Sequence, residues 1–337
     1  MTPTTGLSCL ANLDSLFSLL DGMMLLPEDA VKELGVIGRA GDLVIVARLH
    51  KQMAPMSTFR QLVKSERPLV LPGAHDALTA MLIHQAGFKA YFVGGFPVAG
   101  VRFGVPDIGL LGGREFHEAY RDILSVSPLP VLVDADNGYG DVKNVVYTVH
   151  QLEKLGAQAL FFEDQVSPKR CGHIAGKSLV SSEEMEAKIR AAASERSNPE
   201  TFIIARTDAR EVYGMDEAFR RAERYLRAGA DGLFIEAPAS VEEMALIGRT
   251  FQVPQLANML EGGRTPILKP AELAQLGFRI VIYGISILMR YVKTIQETLA
   301  DIQSGELKLS GSGVSFNDYK RIVGMDDWSR IEDQYKA

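Results

Sequence analysis

The chain has almost no cysteine. Only Cys9 and Cys171 occur in 337 residues, too few for a disulfide framework, so a reducing, cytoplasmic setting is expected. Long apolar runs are also missing. The stretch from residue 16 to residue 26 is short, is broken by Asp21 and Gly22, and has no basic leader. That excludes a spanning helix there and argues against a signal peptide. No charge sign dominates either: 36 basic against 42 acidic residues give a formal charge of −6, with no basic stripe. These absences give no sign of a nucleic-acid partner or a membrane span, identify no other partner, and leave a cytoplasmic globular protein.

What the sequence does have is alternation. From residue 69 onward, apolar runs at 69–74, 90–95, 131–135, 159–163, 202–206, 232–236, 255–259 and 279–283 alternate with amphipathic stretches such as 142–155, 182–196, 215–228 and 270–276. Short, continuously apolar runs are what parallel strands buried on both faces require. Gly87, Gly156, Gly229 and Gly277 each precede the next strand, where a glycine ends a helix in a left-handed conformation. Eight such units predict an α/β fold, a (β/α)8 TIM-type barrel over residues 56–303, with a doubly wound open sheet as the alternative. Residues 1–55 form an N-terminal extension, either an added packing element or an upstream extension. Residues 285–303 read as a long amphipathic helix. The tail, 304–337, adds a Gly/Ser-containing linker and two short helical stretches. It either crosses to a neighbouring subunit or folds back on its own barrel.

The densest chemical signal is the run from Glu163 to His173, Glu-Asp-Gln-Val-Ser-Pro-Lys-Arg-Cys-Gly-His. An acidic pair closes an apolar strand, and a cysteine follows between cations. Lys169, Arg170 and His173 would lower the Cys171 pKa and suit it to acid/base or nucleophilic work. Active sites of such barrels gather at the C-terminal strand ends. Those ends carry Asp76, Gly94, Gly95, Asp134, Asp136, Glu163, Arg206, Asp208, Glu236, Asn258 and Glu261. So many carboxylates at one rim call for a cation, and oxygen ligands without a His/Cys cage point to Mg2+ or Mn2+. In Asp-Ala-Asp-Asn-Gly-Tyr-Gly (134–140), side chains 134 and 136 point the same way off a strand, so both can reach one ion. Gly94 and Gly95 would bring backbone N–H groups to a substrate carboxylate or oxyanion. Arg206 suits bidentate capture of a carboxylate. Of the histidines, His50, His84, His117 and His150 fall outside the predicted site, and His75 is equally a core or a site residue.

These motifs resemble the isocitrate lyase/phosphoenolpyruvate mutase superfamily, in its 2,3-dimethylmalate lyase/methylisocitrate lyase-like branch, from about residue 60 to the end. Asp134–Gly140 resembles its metal loop, Glu163-Asp164 its second acidic step, and Lys-Arg-Cys-Gly-His its lyase signature. Val105-Pro106-Asp107, Ala205-Arg206-Thr207-Asp208 and Asn258-Met259-Leu260-Glu261-Gly262-Gly263 match as well. Val93 stands where many members place a serine, and Gly284 where a proline is common. The resemblance implies a barrel that exchanges its eighth helix between subunits in a homotetramer, a dimer of dimers. It implies Mg2+ near Asp107, Asp134, Asp136 and Glu163, partly through water, with Asp107, Asn258 and Glu261 toward the substrate. Cys171, Lys169, His173, Arg206 and Glu236 are then the catalytic set. A loop thiol implies retro-aldol cleavage of a malate-type 2-hydroxy dicarboxylate to pyruvate or a related 2-oxo acid. The alternatives are an oxaloacetate hydrolase or decarboxylase and a phosphoenolpyruvate phosphonomutase-type enzyme, in which Cys171 has no evident role.

Overall fold

Every strand is apolar on both faces because both faces are covered. The computed structural model describes residues 57–172, 176–305 and 313–336; the predicted extension 1–55, most of the 304–315 linker, and His173 lie outside them. The strands are β1 (Leu69–Ala74), β2 (Tyr91–Val93), β3 (Val131–Asp134), β4 (Ala159–Glu163), β5 (Phe202–Thr207), β6 (Gly232–Ile235), β7 (Leu256–Asn258) and β8 (Ile280–Tyr283). They are hydrogen-bonded in the order β6-β5-β4-β3-β2-β1-β8-β7, each neighbouring pair parallel. A parallel bridge from Leu233 to Gln255 links the two ends of that order. First and last strands pair, Leu69 opposite Ile280, so the sheet is a nearly closed (β/α)8 barrel and not the open alternative.

Alternation along the strands sorts the core into two parts. Leu69, Leu71, Phe92, Leu132, Phe161, Ile204, Phe234 and Ile282 fill the barrel interior. Val93, Val131, Val133, Leu160, Phe162 and Ile203 face the helices. Helix α1 (Phe59–Ser65) adds Phe59, Leu62 and Val63 to the interior group. Its start is set by a capping box, Thr58 with Gln61.

The helices that follow the strands are α2 (Ala77–Gln85), the single turn α3 (Gly95–Val98), α4 (Gly113–Leu124), α5 (Val142–Lys154), α6 (Ser182–Glu195), α7 (Ala209–Tyr213), α8 (Met215–Arg227), α9 (Val241–Thr250), α10 (Pro270–Gln275) and α11 (Ser286–Ser304). The predicted glycine stops hold: Gly87, Gly156, Gly229 and Gly277 all have φ between 82° and 109°. Strand β2 is shorter than the apolar run 90–95 because Gly94 and Gly95 leave it to start α3, which continues as a π-turn through Phe103. Proline at position 97 fits there, since the first helical turn needs no N–H from it. In the tail, α12 (Phe316–Ile322) and α13 (Met325–Tyr335) bury no residue, and of the 19 residues of α11 only Leu288 is buried.

Candidate active site

At their C-terminal ends the strands turn polar, yet the polar side chains stay buried. Asp134 ends β3, and its carboxylate is held from two sides: Asp136 N of its own loop donates to Oδ1 at 2.9 Å, and Gly95 N, at the start of α3, to Oδ2 at 3.3 Å. The strand-alternation argument for Asp134 and Asp136 does not describe what occurs. The strand stops at Asp134, and Asp136 turns through a left-handed φ of 49°. Such a conformation is uncommon outside glycine and gathers at functional sites. Asn137 then donates to the Gln165 carbonyl at 3.2 Å and to Ser167 Oγ at 2.8 Å, tying this loop to the one after β4.

Lys169 Nζ lies 2.6 Å from both Asp107 Oδ1 and Asp136 Oδ1, with all three side chains buried. The sequence reading gave this ammonium to the Cys171 thiolate. The structure directs it to carboxylates, whose attraction is strong where water is excluded. Arg206 does emerge into the bowl. Its Nε and Nη2 donate to Asp208 at 3.0 and 3.1 Å, Nη2 lies 3.2 Å from Glu163 Oε2, and Nη1 lies 3.5 Å from Glu236 Oε2. The guanidinium also stacks over Phe161 and Phe234, 5.9 and 5.2 Å from the ring centres.

Burial dominates the electrostatics. It raises the pKa of Glu163 well above the carboxylate range against the pull of Arg206, raises Asp134 against Lys169, and pushes Asp136 up to about 7. For Lys169 burial acts downward, but Asp136, Glu163 and Asp107 outweigh it and hold the ammonium charged. For Asp208 burial acts upward, and Arg206 with Lys177 more than reverses it.

Cys171 and Gly172 share one cavity with Gly94, Asp107, Asp134, Glu163, Lys169, Arg206, Glu236 and Asn258. Phe92, Phe161, Phe234 and Ile282 also line it, as do Phe96, Pro97, Leu260 and Ile285. It offers about 50 Å³ to the centres of water molecules. That exceeds the ~10–15 Å³ a cavity needs to hold one water and suits a compact acid. Asp136 adjoins through Lys169, and Gly95 through Asp134.

Glu261 is not brought in. It is 41% exposed and pairs with Arg290 at 2.9 Å, while its neighbour Leu260 lines the cavity. His75 is a core residue beside Thr79 and Tyr291, outside the lining. Val93 faces the helix layer and not the cavity. Gly284 lines the cavity where a Cβ would meet the Phe92 ring at 3.2 Å. Sequence reasoning passed over Lys177, which is buried against Asp208 Oδ1 at 2.9 Å and Glu211 Oε2 at 2.6 Å. No local pattern announces it.

The donor set fits a hard divalent cation. Asp107, Asp134, Asp136, Glu163, Asp208 and Glu236 are six buried acids against three buried cations, Lys169, Lys177 and Arg206. Glu163 Oε1 is buried without a hydrogen-bond partner among the described residues. Among those residues no three acidic, His or Cys side chains converge as one ligand set. Mg2+ is compatible with that, since it commonly takes one or two carboxylates and keeps several waters.

The profile of the phosphoenolpyruvate phosphomutase family matches residues 59–303. The 2,3-dimethylmalate lyase of Eubacterium barkeri is 40% identical over 285 residues, covering 84% of this chain and 99% of its own. A 2-methylisocitrate lyase of Halalkalibacterium halodurans is 42% identical over 244 residues, covering 72% and 80%. Among solved structures, an oxaloacetate acetylhydrolase bound to 3,3-difluorooxalacetate superposes with a TM-score of 0.79 at 28% identity, covering 83% and 96%. The chain belongs to the phosphoenolpyruvate phosphomutase family, within the isocitrate lyase/phosphoenolpyruvate mutase superfamily, and is an enzyme with lyase activity.

Proposed function

We propose that this protein is a Mg2+-dependent carbon–carbon lyase that cleaves a malate-type 2-hydroxy dicarboxylate to pyruvate or a related 2-oxo acid. The observation that carries the reading is the placement of Cys171 in the same small cavity as Arg206 and the Asp134–Glu163 carboxylates. Asp134 would hold the ion directly, with Asp107, Asp136 and Glu163 around it through water; the ion, Mg2+ or Mn2+, would supply Lewis-acid polarisation of the substrate oxygens. Arg206, fixed by Asp208, binds the carboxylate of the 2-oxo acid half. Gly94 N–H and Asn258 orient the second carboxylate. Glu236, whose Oε2 is 3.5 Å from Arg206 and from Asn258 Nδ2, accepts the 2-hydroxyl proton. As C2=O forms, the C2–C3 bond breaks and its electron pair passes to C3 and the attached carboxylate. The Cys171 S–H then delivers a proton to C3, and the proton held by Glu236 returns to the thiolate. The product pair is one 2-oxo acid and one simple carboxylic acid.

Residues 56–303 are the catalytic barrel in this reading, and 304–337 a tail at an oligomer interface. Leu288, Val292, Ile295, Leu299 and Ile302 form one stripe along α11, and all but Leu288 are 39–58% exposed. Such a stripe supports helix exchange in a homotetramer. No described helix is long and apolar enough to cross a membrane. The oxaloacetate acetylhydrolase likeness favours a second reading, hydrolysis of oxaloacetate. Incubation with 2-hydroxy diacids and with oxaloacetate, scoring 2-oxo acid and oxalate separately, decides between them. Cys171→Ala should lose about 10²–10⁴-fold of cleavage while still binding the 2-oxo acid. Wild-type cleavage by that variant would remove Cys171 as the proton donor, and oxalate as the only product would replace the lyase reading with the hydrolase.

A further inference from the structure

Cys171 lies between two peptide groups that are each pinned by one side chain. On its N-terminal side the Gln165 amide brackets Arg170: Arg170 N donates to Oε1 at 2.9 Å, and Nε2 donates to the Arg170 carbonyl at 2.8 Å. On its C-terminal side the Gly172 carbonyl accepts from Lys177 Nζ. The base of the loop is closed by Val166 N to Ser178 O at 2.8 Å and Val180 N to Asp164 O at 2.9 Å.

Lys177 is itself anchored on the next strand end, by Asp208 Oδ1 and Glu211 Oε2. The ammonium donates to the Gly172 carbonyl and to Asp208 Oδ1, and Glu211 Oε2 completes its surroundings as an ion pair at 2.6 Å. A lysine kept only to neutralise Asp208 and Glu211 has no need of the Gly172 carbonyl. Asp208 is also the carboxylate that fixes Arg206 through two hydrogen bonds. Asp208 thus lies in one chain of contacts running from the Gly172 carbonyl, one residue past the thiol, to the guanidinium of the cavity.

We propose that Lys177 is the positioning residue of the Cys171–Gly172 segment, holding the thiol in the frame of Arg206 by tying the Gly172 carbonyl to Asp208. The proposal rests on the reading of Cys171 as the proton donor and adds what places it. Lys177 reaches the reaction only through Gly172.

The test uses the full chain in a Cys9→Ser background, where Cys171 is the single thiol. Lys177→Met and Glu211→Gln are compared with the parent for Cys171 alkylation by iodoacetamide and for kcat and KM. Lys177→Met should raise the alkylation rate about tenfold and lower kcat about 10²-fold, the cost of a misplacement near 1 Å, with KM within threefold. Glu211→Gln leaves the Lys177–Asp208 pair in place and should move both readings the same way by a smaller factor. A parental alkylation rate in Lys177→Met would overturn the proposal even if kcat falls, because the lysine would then act on charge balance and not on the thiol. If Lys177→Met does not fold, a parental alkylation rate in Glu211→Gln overturns it instead. Should no 2-hydroxy diacid be cleaved by the parent, the lyase reading fails, while the alkylation rates still decide whether Lys177 holds the loop.

Discussion

Gly172→Ala adds one methyl group where the structure has no space for it. A Cβ at this position would fall inside contact distance of the Arg206 guanidinium and 2.8 Å from both Cγ and Oε2 of Glu236. Arg206 cannot swing aside, because Asp208 grips it through two nitrogens and two phenylalanine rings flank it. The loop bearing Gly172 is held by two side chains, Gln165 and Lys177, and not by strand pairing, so the methyl group should displace it against those two anchors and carry Cys171 along. Forcing a methyl group into a packed site costs about 1–3 kcal/mol, but a loop that yields avoids most of that. Misplacing a reacting group by about 1 Å costs about 10²-fold in rate. The expectation is therefore a kcat/KM reduced about 10²-fold with Tm nearly unchanged. Paired measurements of 2-oxo acid release and thermal unfolding check it, with Gly100→Ala, whose Cβ meets nothing within 4 Å, as the neutral control. Parental turnover in Gly172→Ala would refute the packing of this loop on Arg206 and Glu236.

Asp164 accepts from Thr207 Oγ1, Asp208 N, Arg221 Nη1 and Tyr225 Oη at 2.7–3.0 Å, so Asp164→Ala should lose about 3–5 kcal/mol by stripping four buried donors of their shared acceptor and leaving Glu217 as the carboxylate partner of Arg221, read from denaturant midpoints. Burial raises Asp136 to about 7 in the folded state, so its contribution to stability is full below the unfolded carboxylate pKa and is lost as pH rises through 7. Metal-free protein should therefore lose Tm between about pH 4 and pH 7, and Mg2+, which competes with that proton, should restore more Tm at pH 8 than at pH 5; equal gains at both would refute the carboxylate cluster as the ion's site. Excess chelator should abolish turnover, with Mg2+ or Mn2+ restoring it and Asp134→Ala not restorable by either. Truncation after Ser304 should change the oligomer mass in light scattering, and an unchanged mass would place the tail within its own subunit.

The sequence by itself determined the strands, the helix stops and the family. A strand covered on both faces has to be apolar throughout, and a glycine at a helix end leaves its mark in one residue, so both signals are local. The motifs around Asp134, Glu163, Cys171 and Arg206 were legible for the same reason: each is a short run at a strand end, and a barrel collects strand ends at one rim. Tertiary structure alone decided where the charges went. Lys169 is two residues from Cys171 in sequence but pairs with Asp107 and Asp136, since buried carboxylates from other loops attract it strongly. Glu261 shares a motif with Asn258 yet turns outward to Arg290, while Asn258 stays in the cavity. Lys177 carries no pattern of its own and acquires its place only when β5 brings Asp208 beside it. Backbone conformation is encoded within a few residues, whereas the partner of a buried charge is set by whatever the fold places within about 4 Å of it.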